Sequence, residues 1–367
     1  PVYPTSGVSG RASRYDALVF RISKALAVCG WLAAAGCGST GVPPSSSVPA
    51  EPVAPDCRLV KAVGDVSAVL RGDGELAIVG GGIELLRSGD LGRSWRREAL
   101  PLECGWPDLT EIDGRLVVSC SERRPPSRLL VIAELDGGGW SAPVEVDATD
   151  ERFIDTDLQV SAAGELVLFA THIDRPDDLD RAVYTIRQYR SADSGGTWSA
   201  GETVVAGRRG EHLEDTRSVT LDDGDILLVY ERERAEGRAS RIVQLRSADG
   251  GRSWSGPGVV WRGGDLEPGG YLAFADGELW LVASSDEPAG GGSYDRATIL
   301  ARSSWDGGRS WSEARVLVDR EDQISFGGVE LPDGRALLPS IRHYNRKAQR
   351  SLALYVVDRS GVGGAVC

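Results

Sequence analysis

The sequence has little positive charge and none of the common motifs for binding nucleotides or zinc. Its 367 residues include 54 acidic and 41 basic side chains, so the formal net charge is −13. This excess of acid argues against nucleic acid or an anionic membrane surface as a partner. No phosphate-binding loop, dinucleotide fingerprint or Cys/His zinc spacing is present, so we predict no cofactor and no metal. Apart from an apolar stretch near the start, no segment has the periodicity of a long helix, which favours an all-β fold.

One short turn occurs four times in almost the same form. Each copy has a Ser, an Asp, a Gly, a second Ser or Thr, and a closing Trp. The Asp can accept hydrogen bonds from backbone N–H groups, the Gly supplies a positive φ, and the Trp is a large apolar plug. None of these parts needs a ligand, so we interpret the turns as structural. The copies are RSGDLGRSW (87–95), RSADSGGTW (190–198), RSADGGRSW (246–254) and RSSWDGGRSW (302–311).

A longer phrase, in which a Gly-containing turn joins two apolar strands, occurs six times and predicts six β-hairpins. A third strand, the Trp turn and a fourth strand follow four of them, and the second copy keeps only the Trp of its turn, Trp140. Repeats of about 50 residues in an all-β chain are typical of propeller blades. We therefore predict a six-bladed β-propeller of four-stranded antiparallel blades, with the Trp turns opposite a central funnel. The phrases are 65–79, 108–120, 157–171, 217–231, 269–283 and 327–341.

The repeated turn resembles the Asp-box of the sialidase (neuraminidase) superfamily, whose members are six-bladed propellers. The resemblance covers residues 57–367 and implies an exo-acting glycoside hydrolase. The pattern of true sialidases is absent at three places. Residues 64–66 lack the first arginine, residues 80–83 form too short a loop for the acid/base Asp, and residues 324–327 lack the nucleophilic Tyr. We therefore do not expect sialic acid to be hydrolysed by the usual Tyr mechanism.

Two further resemblances to propeller glycosidases cover only short stretches of the sequence. Glu214 and Arg232 correspond approximately to a Glu and an Arg of the superfamily's fourth blade. The phrase that runs from Glu214 to Arg232 also resembles exo-arabinanase-type propeller glycosidases. Two Glu residues at the starts of blades would serve such an enzyme directly.

The funnel of a propeller is the usual place for a ligand, and it is formed by the starts of the first strands and the ends of the second strands. Glycoside hydrolysis needs one carboxyl group to protonate the leaving oxygen and another to activate water or attack. Arginines beside them can hold a substrate carboxylate. We assign catalysis to Glu214, Glu267 and Asp155. We assign substrate binding to Arg217, Arg232, Arg342, His172, His212 and Tyr344.

Near the start of the chain, a basic segment, a short apolar run and small residues precede a cysteine. This order is typical of an export signal, and the cysteine after Ala-Ala-Gly resembles a bacterial lipobox. We predict a signal at residues 1–36, lipidation of Cys37, a disordered tether at residues 37–56 and the propeller at residues 57–367. The protein would be a cell-envelope lipoprotein, or alternatively secreted. It would be a monomer that meets the membrane only through its lipid.

Four further cysteines form an even set in an oxidising compartment. Cys104 and Cys120 lie in the two strands of one predicted hairpin, so a disulfide between them is feasible. Cys57 and Cys367 begin and end the folded part, and we predict that a second disulfide joins them. In that arrangement, residues 58–63 would supply the fourth strand of the last blade.

Two other functions remain open at this stage. The first is a non-catalytic surface lipoprotein that binds glycan or protein through the same funnel. The second is a polysaccharide lyase, which would use His172 or His212 with Tyr230 or Tyr344 as base and acid. Residues 174–180 contain several Asp residues that calcium could use, but their spacing fits no EF-hand, and we interpret them as a solvated loop.

Overall fold

The computed structural model describes residues 65–365 with several gaps, within the compact unit Val53–Cys367. The predicted signal and tether, Cys37, Cys57, Cys367 and Tyr344 lie outside the described residues, and of Arg342 only the backbone is described. Among the described residues, no helix is long and apolar enough to cross a membrane. The gaps are 81–83, 123, 235–237, 264–265, 286–297, 319–322, 326, 343–350 and 361–362.

Six antiparallel sheets form the six blades, and their strands follow chain order. This architecture confirms the predicted six-bladed, all-β propeller. Blade 1 contains β1 (Val66–Leu70), β2 (Leu76–Gly80), β3 (Glu84–Ser88) and β4 (Arg96–Ala99). Blade 2 contains β5 (Gly105–Ile112), β6 (Arg115–Ser121), β7 (Ser127–Ala133) and β8 (Val144–Thr149). Blade 3 contains β9 (Arg152–Val160), β10 (Leu166–Ile173), β11 (Tyr184–Ser191) and β12 (Glu202–Ala206).

The second half of the ring repeats this order. Blade 4 contains β13 (Glu211–Thr220), β14 (Ile226–Arg234), β15 (Arg238–Ser247) and β16 (Gly258–Arg262). Blade 5 contains β17 (Leu266–Ala273), β18 (Leu279–Ser285), β19 (Thr298–Ser304) and β20 (Arg315–Val318). Blade 6 contains β21 (Gln323–Ser325), β22 (Val329–Glu330), β23 (Ala336–Arg342), β24 (Ser351–Val357) and β25 (Gly363–Ala365).

Blade 6 differs from the others at both of its edges. Its inner strand is split, because β21 and β22 both pair with β23. Its outer strand is β25, which pairs with the end of β24 through Tyr355 and Ala365. The described fourth strand of this blade therefore comes from the end of the chain. Residues 58–63, which we predicted for this position, lie outside the described residues.

Apolar side chains fill the spaces between neighbouring blades. One such cluster joins Val66 and Ile78 of blade 1 to Leu337, Ile341 and Leu354 of blade 6. All five side chains are nearly or fully buried. Burial of apolar area is the main favourable term in folding. The ring is therefore closed between its first and last blades by hydrophobic packing.

Each Trp turn is held by its own side chains, as the sequence analysis predicted. In blade 4, Ser247 Oγ donates to Asp249 Oδ1 at 2.7 Å, and Ser247 Oγ accepts from the N–H of Gly251 at 2.6 Å. Asp249 Oδ1 also accepts from the N–H of Ser253 at 2.8 Å. The same three bonds recur in the other three copies. These internal bonds explain the turns without a ligand.

Neighbouring blades are also tied together on the side of the Trp turns. Arg246 Nη1 and Nη2 of blade 4 both donate to the carbonyl oxygen of Gly307 in the blade 5 turn, at 2.9 Å. The other end of this guanidinium donates through Nε to Asp225 at 2.9 Å. In blade 2, where the turn has lost its Ser and Asp, Glu134 instead accepts from Arg87 of blade 1 at 2.7 Å. An arginine thus connects one blade to the next in both cases.

Candidate functional site

The first strands of blades 2, 3 and 4 each bulge at the same position. The pairing register shifts between Gly105 and Asp108 in β5, beside Asp155 in β9, and between Glu214 and Arg217 in β13. Such bulges bend a strand and redirect its side chains. The bulged residues have left-handed backbone conformations, which are strained for residues other than glycine and cluster at functional sites. They are Trp106 (φ 47°), Asp155 (φ 51°) and Asp215 (φ 54°).

A polar cavity of about 120 Å³ lies where the inner strands of all six blades meet. This placement shows that the first strand of each blade faces the axis of the ring. A cavity of this size and polarity can hold a few water molecules. The charged side chains in its lining are Asp65, Asp108, Asp157 and Arg217.

Arg217 is the cation at the centre of this group. Its Nη2 donates to Asp65 Oδ2 at 2.8 Å, and its Nη1 donates to the carbonyl oxygen of Thr216 at 2.8 Å. Burial alone would lower the pKa of Arg217, but the charges of Asp65, Asp215 and Asp155 raise it above its ordinary value. Arg217 therefore stays charged and stabilises the carboxylates around it. Its predicted role in substrate binding stays a prediction.

The deeper acids of the group hold protons more tightly than usual. Asp155 is fully buried, and burial raises its pKa, assisted by the charges of Asp65 and Glu214. Burial and the charge of Asp108 likewise raise the pKa of Asp157 to about 8. Asp155 Oδ2 accepts the backbone N–H of Asp215 at 2.9 Å, which links the bulges of blades 3 and 4. Asp155 Oδ1 has no hydrogen-bond partner among the described residues.

Glu214 is the most accessible of the predicted catalytic acids, with 16% of its side chain exposed. The hydroxyl of Tyr184 hydrogen-bonds to Glu214, and burial together with the charge of Glu214 raises the pKa of Tyr184. Tyr184 therefore remains protonated and donates to the carboxylate. The ring of His212 stacks on Tyr184 with 4.8 Å between centroids, and its Nδ1 lies 3.7 Å from Glu214 Oε1.

Glu267 is the second residue of β17, the inner strand of the next blade, and is nearly buried. Its charge helps to raise the pKa of Asp215, after the effects of burial and of Asp155. The charge of Glu214 also raises the pKa of Asp155. The four acids Asp155, Glu214, Asp215 and Glu267 therefore form one electrostatic group across blades 3, 4 and 5. The charges of these acids influence one another, and the catalytic roles of Glu214, Glu267 and Asp155 stay predictions.

Arg232 forms an ion pair within its own blade. Its Nη2 donates to Glu211 Oε2 at 2.9 Å. Burial alone would raise the pKa of Glu211, but the hydrogen bond from Arg232 lowers it below the ordinary value. Arg232 and Glu211 therefore form a charged pair at the start of blade 4. The use of Arg232 for substrate binding stays a prediction.

His172 belongs to a separate polar network between blades 2 and 3. Its Nε2 lies 2.7 Å from Glu151 Oε2, and its Nδ1 lies 3.3 Å from Arg187 Nη2. Arginine can only donate, so Nδ1 accepts and Nε2 carries the hydrogen. Burial and the charge of Arg187 lower the pKa of His172 to about 4, so the ring is neutral at pH 7. Both nitrogens are engaged, which leaves no free base for lyase chemistry here.

The inner strands of blades 3 and 4 correspond more closely than the hairpin repeat alone predicted. Their phrases are Asp-Thr-Asp at residues 155–157 and Asp-Thr-Arg at residues 215–217. In each phrase the threonine hydroxyl meets a hydroxyl of the preceding blade, since Thr156 bonds with Ser119 at 3.3 Å and Thr216 with Thr171 at 3.2 Å. Alignment of the six inner strands would have revealed this shared bulge.

Within the described ranges, no three His, Cys, Asp or Glu side chains are grouped in a way that could hold a metal ion. In the acidic loop at residues 174–180, Asp174 Oδ1 accepts the backbone N–H of Val183 at 2.7 Å. That carboxylate is therefore used within its own loop.

Cys104 and Cys120 of blade 2 form the predicted disulfide, and their Cα atoms are 5.8 Å apart.

Asp-box turns on one face and a cluster of acidic side chains at the other are the features of a six-bladed propeller of the sialidase-like class. Residues 127–363, more than half of the chain, match the BNR repeat-like domain, and the chain belongs to this family. The family resemblance drawn from the sequence is thereby confirmed. No curated protein sequence matches the chain.

Solved structures extend the likeness to several propeller enzymes. The α-L-arabinanase of Penicillium chrysogenum has a TM-score of 0.60 at 14% identity, over 82% of this chain and 95% of the arabinanase. A PL25 ulvan lyase has a TM-score of 0.54 at 12% identity, over 83% of this chain and 80% of the lyase. The NanB sialidase of Streptococcus pneumoniae has a TM-score of 0.52 at 12% identity over 71% of this chain, which spans 60% of that sialidase. At these identities the likeness shows a shared fold.

Proposed function

We propose that the protein is an exo-acting glycoside hydrolase whose catalytic pair is Glu214 and Glu267. The observation that carries this proposal is their position at the starts of the inner strands of adjacent blades, within one electrostatic group. Glycoside hydrolysis needs two carboxyl groups that face a common space. Membership of a propeller family with glycosidase neighbours supports a glycan as the substrate.

The two carboxyl groups receive different roles in this proposal. A hydrogen bond donated to a carboxylate favours its charged form, so Glu214, which accepts from Tyr184, suits the role of base or nucleophile. In the bond-breaking step Glu267 acts in its protonated form and passes that proton to the glycosidic oxygen as the C–O bond breaks. Water supplies the hydroxyl of the released sugar and returns a proton to the pair. Asp155 is fully buried and accepts a hydrogen bond from the backbone N–H of Asp215, so it holds the backbone beside Glu214 in place.

The test is hydrolysis of a panel of aryl glycosides and plant and animal glycans by the purified protein. We expect Glu214→Gln and Glu267→Gln each to lower kcat by about 100-fold or more. Glu202→Gln, on the exposed strand β12, is the matched control and should keep full activity. Proton NMR of the first-formed anomer would separate retention from inversion.

Other outcomes of the same assay would contradict the proposal. Binding of a glycan without any product would indicate the non-catalytic binding protein instead. A product that absorbs in the near ultraviolet would indicate a lyase, because lyases leave an unsaturated uronate. Full activity of Glu214→Gln with an unchanged melting temperature would exclude Glu214 from the reaction.

We also propose that the protein is exported and anchored to the cell envelope through a lipid on Cys37. The Cys104–Cys120 disulfide supports export, because disulfides persist mainly in oxidising compartments. Labelling of expressing bacteria with a fatty acid should mark the wild type and leave Cys37→Ser unlabelled. An unlabelled wild type in the culture medium would indicate plain secretion.

A further inference from the structure

The structure assigns this site to an uncharged terminal sugar rather than one that carries a carboxylate. This inference rests on the proposed function and names the class of substrate that the proposed site accepts. It follows from the pairing of Arg217 and Arg232, the two arginines predicted for substrate binding whose side chains the structure describes.

Arg217 has no free edge with which to hold a carboxylate. Bidentate recognition uses two neighbouring N–H groups, either Nη1 with Nη2 or Nε with Nη2. Nη2 belongs to both edges, and it donates to Asp65 at 2.8 Å. Nη1 donates to the carbonyl oxygen of Thr216. Only 12% of the Arg217 side chain and 8% of the Asp65 side chain are exposed, so water does not readily replace this pair.

Arg232 is engaged in the same manner. Its Nη2 donates to Glu211 at 2.9 Å, and Glu211 also accepts the backbone N–H of Arg208 at 3.1 Å. A substrate carboxylate would have to displace Glu211 and leave a buried, charged acid without its partner. Such an unpaired buried charge is strongly unfavourable.

The acids described around Arg217 and Arg232 disfavour an anion. Arg217 is held by Asp65 and Arg232 by Glu211, and the same group of inner-strand residues also contains Asp155, Asp215, Glu214 and Glu267. Like charges placed together are a common means by which a binding site rejects an alternative ligand. The repulsion is strengthened by the low dielectric constant of a partly buried site.

The experiment compares aryl glycosides that differ only in having CH₂OH or a carboxylate on the sugar ring, in both anomers. For the wild type we expect kcat/KM to be about 100-fold higher on the neutral sugar of each pair than on the carboxylated one. Asp65→Asn removes the charged partner of Arg217, and Glu211→Gln removes that of Arg232. Each variant should lower the ratio of kcat/KM between the neutral and the carboxylated sugar about tenfold. Glu202→Gln should leave the ratio unchanged.

Binding to the Glu267→Gln variant, which keeps the Glu214 carboxylate, is measured by saturation-transfer NMR and separates this inference from the proposed hydrolysis. Neutral sugars that bind this variant but are never cleaved by the wild type would overturn hydrolysis and support the inference. Preferential binding or cleavage of carboxylated sugars would overturn this inference but not the proposed hydrolysis. The same holds if a folded Glu211→Gln variant keeps the wild-type ratio of kcat/KM between neutral and carboxylated sugars. Absence of binding to either class would overturn both. If Asp65→Asn does not fold, Glu211→Gln carries the test.

Discussion

Replacement of Arg246 by alanine tests whether arginines hold neighbouring blades together. The guanidinium joins Asp225 of its own blade to the carbonyl oxygen of Gly307 in the next blade. The side chains of Arg246 and Asp225 are 17% and 13% exposed, so solvent screens the pair only in part. Hydrogen bonds to charged groups contribute about 1.5–3 kcal/mol each. Loss of one partner of a buried pair costs about 3–5 kcal/mol.

We expect a value near the lower end of this range. Arg309 Nη2 lies 3.8 Å from Asp225 and would still compensate part of its charge. Arg246→Ala should therefore lower the free energy of unfolding by about 3 kcal/mol. For a domain of this size, that loss corresponds to about 5 °C in the melting temperature. Differential scanning calorimetry and urea unfolding at pH 7 would measure the two quantities.

The control is an arginine from the same turn whose described hydrogen bonds are all exposed. Arg252 is 57% exposed and reaches Glu165 at 3.2 Å. Arg252→Ala should lower the free energy of unfolding by at most about 0.5 kcal/mol, as is typical of surface pairs. Equal melting temperatures for the two variants would refute the role of Arg246. In a double-mutant cycle with Asp225→Ala, strict additivity would refute the proposed coupling.

Three further results are expected. Because the raised pKa of Asp157, about 8, lets the folded protein keep a proton that the unfolded chain has lost, stability should fall as pH rises from about 4 to 8. Asp157→Asn should flatten this slope in urea unfolding, and equal slopes would contradict the assignment. Tyr184→Phe should lower kcat about tenfold with little change in KM or melting temperature, whereas unchanged kcat would show that Tyr184 does not position Glu214. Replacement of Cys104 and Cys120 by Ser should destabilise the protein by about 3 kcal/mol, and a wild type whose melting is insensitive to reductant would contradict this.

The sequence by itself determined the repeat, and with it the class of fold. The Trp turn at residues 246–254 is predictable because its bonds join residues at most four positions apart, such as Asp249 and Ser253. The hairpins are likewise local, because each turns through a glycine with positive φ, as at Gly224 (φ 86°). Short-range signals of this kind are complete within one stretch of chain.

The assignment of Glu214, Glu267 and Asp155 to one group also came from the sequence, since the position of a residue within its repeat places it on a given rim. Only the tertiary structure decided which charges are paired. Arg217 meets Asp65, which is 152 residues away in the chain. No pattern in the sequence specifies this partner, because ring closure brings the first and fourth blades to a common axis. The partners of Arg217 and Arg232, and therefore the expected charge of the substrate, depend on that three-dimensional arrangement.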